Sequence, residues 1–206
     1  PVFLDYSKDM SISKVKNEIP LLYKQNTTNP LFSLYYIYEM GNTHDKALGT
    51  AFNYLGYLGT STKTAEEIKS ELYKMACSFN VIATNELVYV YVNGLSDNFK
   101  KAMALLEERL ADAKADQEIY SNRVKDILKQ RSDAKLNQYS NFNQLVNYAI
   151  WGPNSPSRNI LSESELNALN PEELVARTKN LKNQEHTIMY YGPLSEQQIK
   201  EASNKK

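Results

Sequence analysis

Thr50-Ala51-Phe52-Asn53-Tyr54-Leu55-Gly56-Tyr57-Leu58-Gly59-Thr60 is the stretch on which the reading of this chain turns. With Leu48 in front of it, the apolar residues Ala51, Phe52 and Leu55 fall at i, i+3, i+4 and i+7, the stripe of an amphipathic helix. Gly59-Thr60-Ser61 ends that helix. The pattern predicts a helix over residues 45–57, with Leu48, Ala51, Phe52 and Leu55 against a sheet. Thr50, Asn53 and Tyr54 lie in the same segment. A threonine hydroxyl and a phenol are poor metal ligands beside imidazole. An asparagine amide has no carboxylate with which to take a proton from water.

Working outward, residues 1–14 are polar and irregular and read as a linker or arm ahead of a single domain spanning 15–206. Lys16 to Lys24 reads as a first strand, closed by the turn-forming Asn26-Thr27-Thr28-Asn29-Pro30. Leu31 to Met40 is rich in aromatic and branched residues and is expected to be a central strand. After the helix, Thr64-x-x-Glu67 forms a capping box ahead of Ile68, Leu72 and Met75. Phe79 to Ala83 and Leu87 to Val92 predict a hairpin around Thr84-Asn85, ended by Asn93-Gly94.

Ser96 is expected to cap a helix carrying Phe99, Met103, Leu106 and Leu110. A second long helix has Tyr120, Val124, Ile127 and Leu128 on its apolar side, and Phe142, Leu145, Val146 and Ala149 mark another. Trp151 to Asn159 holds two prolines and a glycine and reads as a loop. Ser162-x-x-Glu165 and Asn170-Pro171-x-Glu173 both read as helix starts. His186 to Tyr191 returns as a strand, Gly192-Pro193 turns, and Ser195 caps a terminal helix. The order predicts an α+β domain with long helices packed over a mainly antiparallel sheet.

The 206 residues suffice for a sizeable core. Twenty-four basic residues balance twenty-four acidic ones, and no broad basic stripe occurs, so nothing points to nucleic acid. No apolar run is long enough to span a bilayer, and no basic-then-apolar signal opens the chain. Because the chain opens on Pro1, we read it as part of a longer polypeptide. Cys77 is the only cysteine, which rules out an internal disulfide and leaves the redox compartment open. The fifteen tyrosines are the compositional oddity, expected on strand faces and at the boundary between sheet and helices.

His44 and His186 are the only histidines, so one chain cannot supply three imidazoles to a metal. We expect a turn or cap role for His44 and a strand-end position for His186. The pairs Glu66-Glu67, Glu107-Glu108 and Glu172-Glu173 diverge by about 100° on a helix and do not share a proton. Cys77 has no histidine nearby in sequence and reads as a structural thiol. Neither glycine-rich phosphate signature occurs.

The succession resembles the insulinase/pitrilysin family of zinc proteases, which includes the mitochondrial processing peptidases. Asn29 to Gly41 resembles the strand and turn before the family's metal helix. Leu58-Gly59-Thr60 with Thr64 to Ile68 resembles the helix exit and the capped helix after it. Val88 to Leu95 resembles the strand leading into the long helix pair, and Tyr190-Tyr191-Gly192 the last strand. Members carry the inverted motif H-x-x-E-H, whose histidines bind zinc and whose glutamate activates water. Aligned on Leu58-Gly59-Thr60, the first histidine falls on Thr50, the glutamate on Asn53 and the second histidine on Tyr54. The family's distal glutamate lies on the second long helix, where this chain has Lys129 and Gln130.

The resemblance therefore implies a degenerate, non-catalytic domain, similar to the third domain of a long bacterial-type member. It implies no catalytic residue and no metal ligand here, with zinc held by a catalytic domain elsewhere. The expected partners are other domains of the same polypeptide or a catalytic subunit, with an extended peptide substrate contacted through a sheet edge. Periplasm and cytoplasm both remain open as compartments. Two alternatives stand beside this reading. One is an independent peptide- or glycan-binding module that uses the tyrosines; the other is an enzyme whose metal ligands come from a partner chain.

Overall fold

The computed structural model describes Phe3 and residues 5–204. Among the described residues six strands form one sheet in the order β1-β2-β6-β3-β5-β4. They are β1 (Ser11–Lys14), β2 (Pro20–Gln25), β3 (Leu31–Tyr38), β4 (Cys77–Ala83), β5 (Val88–Leu95) and β6 (Thr187–Gly192). Neighbours run antiparallel except β2 and β6, which are parallel. The central β3 alternates cleanly. Phe32, Leu34 and Tyr38 are buried with Val88, Val90 and Val92 of β5, while Ser33, Tyr35 and Ile37 point to the opposite face.

The helices are α1 (Tyr6–Asp9), α2 (Leu48–Leu55), α3 (Ala65–Lys74), α4 (Phe99–Asp112), α5 (Gln117–Leu136), α6 (Gln138–Trp151), α7 (Glu163–Ala168), α8 (Pro171–Lys179) and α9 (Glu196–Asn204). Long helices over a mainly antiparallel sheet make the α+β architecture expected from the sequence. Several helix starts follow the local signals closely. Thr64 and Ser162 each form a complete capping box with Glu67 and Glu165. The Asn170 side chain caps α8 with Pro171 in its first turn. Ser195 and Gln198 exchange reciprocal hydrogen bonds at the start of α9.

Four local expectations need correction. Within the stretch read as a linker, Pro1, Val2 and Leu4 lie outside the described residues, but Ser11–Lys14 is a strand paired with β2. Its single apolar residue gives no alternation to read, and backbone pairing alone recruits it to the sheet edge. The first full strand begins at Pro20 rather than Lys16, because Lys16–Glu18 coils into a 3-10 turn with Glu18 at φ 63°. Ser96 opens a further 3-10 turn, and α4 starts after Asn98 without a side-chain cap. The fourth is the largest. The stripe Phe142, Leu145, Val146 and Ala149 forms a helix, yet no residue of α6 is buried.

Two glycines are dictated by close approach. Gly94 sits at φ 155°, and a Cβ there would come within 2.7 Å of Cys77 Cα on the neighbouring strand. At Gly41 a Cβ would meet the Asn85 carbonyl carbon at 2.5 Å, so the chain leaving β3 can pass the β4–β5 turn only without a side chain. Among the described residues no helix is long and apolar enough to cross a membrane.

Candidate functional site

The candidate site lies on α2. This helix buries Leu48, Ala51, Phe52 and Leu55, as the periodicity requires, and packs on α8 and β4. Its C-terminal end is held by Arg109 of α4, which is buried and donates from Nη2 to the Leu55 carbonyl oxygen at 2.7 Å. A cation there also meets the negative end of the helix dipole. The Arg109 guanidinium lies 5.1 Å from the Phe79 ring centroid, and burial pushes its pKa down to about 10.

The loop after α2 is tied to α4 by side chains. Glu108 accepts from Thr60 Oγ1 at 3.0 Å and pairs with Lys63 Nζ at 3.1 Å. Asp112 accepts from the Ser61 amide at 2.8 Å. Hydrogen bonds from Thr62 and Lys63 hold the Glu108 carboxyl below its ordinary range.

Tyr54 is buried. Its hydroxyl donates to the Asp116 carbonyl at 2.8 Å and accepts from the Asp116 amide at 2.7 Å. Its ring meets Tyr120 edge-on at 5.5 Å, and burial raises the pKa of the phenol. Asn53 is exposed, and its Oδ1 accepts from Arg123 Nη2 of α5 at 2.7 Å. The Arg123 guanidinium lies 4.4 Å from the Tyr57 ring centroid and pairs through Nη1 with Asp126 at 2.9 Å. Lys69 adds a second cation, with Nζ 5.7 Å from the same ring. Thr50 is half-buried.

The structure thus brings Asn53 and Tyr54 to α5, but it does not bring Gln130 to them. Gln130 and Lys129 are exposed, and Gln130 lies seven residues beyond Arg123, roughly 10 Å along the helix axis. The side chain that faces Asn53 is Arg123, which sequence reading missed. The two residues lie 70 positions apart and no local pattern links them.

The remaining candidates have local partners. His44 Nδ1 accepts from the Gly41 amide at 3.1 Å, a turn role. His186 immediately precedes β6, with its ring 5.5 Å from Tyr36 and 5.1 Å from Tyr38. The Cys77 thiol is buried, contacts the Met75 carbonyl at 3.4 Å, and is pushed above the ordinary thiol range by that burial. Glu67 is consumed in the α3 capping box. Among the described residues no three histidine, cysteine, aspartate or glutamate side chains converge to hold a metal.

Beside α2 runs β4, an edge strand. A hollow of about 460 Å³ lies between Gly49, Phe52, Asn53 and Tyr57 of this region, Lys69 of α3, and residues 80–83 of β4. Because Thr84 N–H bonds to the Leu87 carbonyl, the ladder alternation turns the backbone groups of Phe79, Val81 and Ala83 outward. Two of them have local partners. Asn80 Oδ1 accepts from the Val81 amide at 2.8 Å, and Asn42 Nδ2 donates to the Ala83 carbonyl at 3.4 Å.

A sheet of this order under long helices, with α2 set beside edge strand β4, defines an α+β domain. The insulinase family (peptidase family M16) matches residues 42–164, more than half of the chain, and the chain belongs to that family. An uncharacterized zinc protease from Rickettsia bellii (strain RML369-C) is 24% identical over 135 residues, covering 63% of this chain and 32% of the relative. The chain therefore spans about a third of the length of that curated relative.

Solved structures share the fold at low identity. The peptidase M16 inactive domain from Pseudomonas fluorescens superimposes with a TM-score of 0.78 at 16% identity, over 95% of this chain and 49% of that one. The periplasmic protease PqqL from Escherichia coli gives a TM-score of 0.77 at 9% identity, over 98% of this chain and 23% of that one. A protease from Helicobacter pylori gives 0.73 at 11% identity, over 95% and 49%.

Proposed function

We propose that this chain is a non-catalytic domain of a zinc metallopeptidase, a structural unit that helps to wall a peptide-sized chamber. The observation that carries the reading is the chemistry on α2. Hydrolysis through a bound metal needs imidazole ligands and a carboxylate base. Here a phenol spends both its donor and its acceptor on Asp116, and a guanidinium occupies the amide that stands in the base position. A fixed positive charge beside Asn53 opposes a divalent cation, so the residues present do not fit zinc. The zinc of the parent enzyme is held by another domain, and this one packs on its neighbours.

Extended peptide is the second element of the proposal. Edge strand β4 turns backbone groups outward beside the hollow next to Asn53, the arrangement that adds a peptide strand to a sheet. Elemental analysis after chelation and zinc re-addition tests the first element, and well under one equivalent of zinc is expected. A stoichiometric metal accompanied by peptide cleavage would overturn it. Amide exchange of residues 77–83 with an extended peptide present tests the second, with slowed exchange expected on β4.

A further inference from the structure

A cavity of about 420 Å³ lies on the core side of the sheet, where β3 and β6 meet the last turn of α8. The alternation that buries Phe32 and Leu34 also turns Tyr36 and Tyr38 inward, and Ile188 of β6 is the register partner of Tyr36. These three residues form the floor of the cavity. Leu106 and Leu110, one turn apart on α4, form one wall. Val15 and Ile19, on either side of the 3-10 turn between β1 and β2, form another. Leu181, in the 3-10 turn Asn180–Asn183 that follows α8, completes the apolar lining.

Protein interiors pack at close to crystal density, and voids larger than a water molecule are few. This space instead falls within the roughly 300–1,000 Å³ of small-molecule sites, which pair an apolar lining with a few polar groups. It shares no residue with the hollow beside Asn53, so a peptide on β4 does not account for it. Burial pushes the phenols of Tyr36 and Tyr38 well above their ordinary range, so both stay neutral. The His186 ring packs against both and holds that end of the floor in place.

The charge around the cavity is unequal. Lys16, Lys179 and Lys182 line it against one carboxylate, Glu107. Lys179 is half-buried, and among the described residues neither its ammonium nor that of Lys182 makes a hydrogen bond or ion pair. Burying a charge is costly unless a partner offsets the lost hydration. Three positions apart across the junction of α8 and its 3-10 turn, the two lysines rise on one side.

We propose that this cavity binds an apolar monocarboxylate, with its tail between α4 and the sheet and its carboxylate on Lys179 and Lys182. A single negative charge answers the two ammoniums, whereas a second would meet Glu107. A neutral ligand leaves the lysines without a counter-ion, and a cation meets three of them. The proposal goes beyond the inactive-domain reading and does not rest on it.

Calorimetric titration of the purified chain with decanoate and with phenylpropanoate tests it. One equivalent should bind, with a Kd of roughly 10–100 µM for the better acid. Decanol, which has the tail without the charge, should bind at least about tenfold more weakly than decanoate. Lys179→Gln with Lys182→Gln should leave the fold intact and weaken both acids at least about tenfold. Leu110→Trp puts an indole where the tail would lie and should abolish binding, with folding checked by circular dichroism. Tighter binding of decanoate supports the site with an alkyl tail, such as a lipid fragment supplies. Tighter binding of phenylpropanoate supports it with an aromatic acid.

The proposal is overturned if neither acid binds saturably. Decanol that binds as tightly as decanoate overturns it too, as does a double lysine variant with unchanged affinity. A folded Leu110→Trp chain that binds both acids normally places them elsewhere, with the same consequence. Should Leu110→Trp not fold, the lysine pair decides alone.

Discussion

Arg123 Nη2 stands 2.7 Å from Asn53 Oδ1, joining α5 to the polar side of α2. The Arg123 side chain is only 12% exposed, and its guanidinium also covers the Tyr57 ring at 4.4 Å. A planar cation that bonds at its edge and stacks on its face is held in one geometry, which lysine cannot reproduce. Replacing it by Arg123→Met should keep the stem packing while removing the hydrogen bond and the cation–π contact. The expected loss is about 1–2 kcal/mol, read from urea unfolding. An unchanged midpoint would show that the contact contributes nothing to the joint between α2 and α5.

Phe52 is 4% exposed on the face of α2 that packs on β4. Phe52→Ala should destabilise the domain by about 3–5 kcal/mol, through lost transfer energy and the cavity left behind. Equilibrium denaturation measures it, and a loss under about 1 kcal/mol would mean that the helix does not pack in this way.

Acid should loosen the C-terminal helix. Glu196 bonds Lys200 Nζ at 2.7 Å and Ser13 Oγ at 2.6 Å, joining α9 to β1, and these bonds lower its pKa to about 2. A carboxylate depressed on folding adds stability that is fully present above its unfolded value and is lost as pH falls through the folded one. The window therefore runs from about pH 4.5 down to about 2. Glu67, Glu108 and Glu165 are shifted in the same direction and steepen the same limb. Glu196→Gln should flatten part of the slope of stability against pH in that window. An identical slope in the variant would show that this carboxyl is not linked to folding.

The position of the missing ligand on α5 can be tested by rebuilding. With Thr50→His, Asn53→Glu and Tyr54→His in place, Arg123→Glu should confer tighter zinc binding than Gln130→Glu, because residue 123 faces Asn53 and residue 130 is roughly 10 Å further along the helix. Zinc titration of the two variants decides between the registers. Neither is expected to cleave peptide, because catalysis also needs groups that position the substrate and stabilise its transition state, and these substitutions supply none. Tighter binding with Gln130→Glu would return the distal ligand to the position on α5 that the family resemblance implied.

Much of the fold was legible because its signals are local. The capping boxes at Thr64 and Ser162, the proline at Pro171 and the glycines at 59 and 94 act over three or four residues, and the stripe of α2 repeats within two turns. The absence of a carboxylate at Asn53 and of imidazoles at Thr50 and Tyr54 is likewise a property of residue types, readable without coordinates. What tertiary structure alone decided involves partners far apart in the chain. It recruited polar Ser11–Lys14 to the sheet through backbone bonds that carry no side-chain signature. It chose Arg123, 70 residues from Asn53, over Gln130. It also left the α6 stripe in solvent. Periodicity reveals that a face is apolar; which surface covers it depends on the three-dimensional path of the rest of the chain.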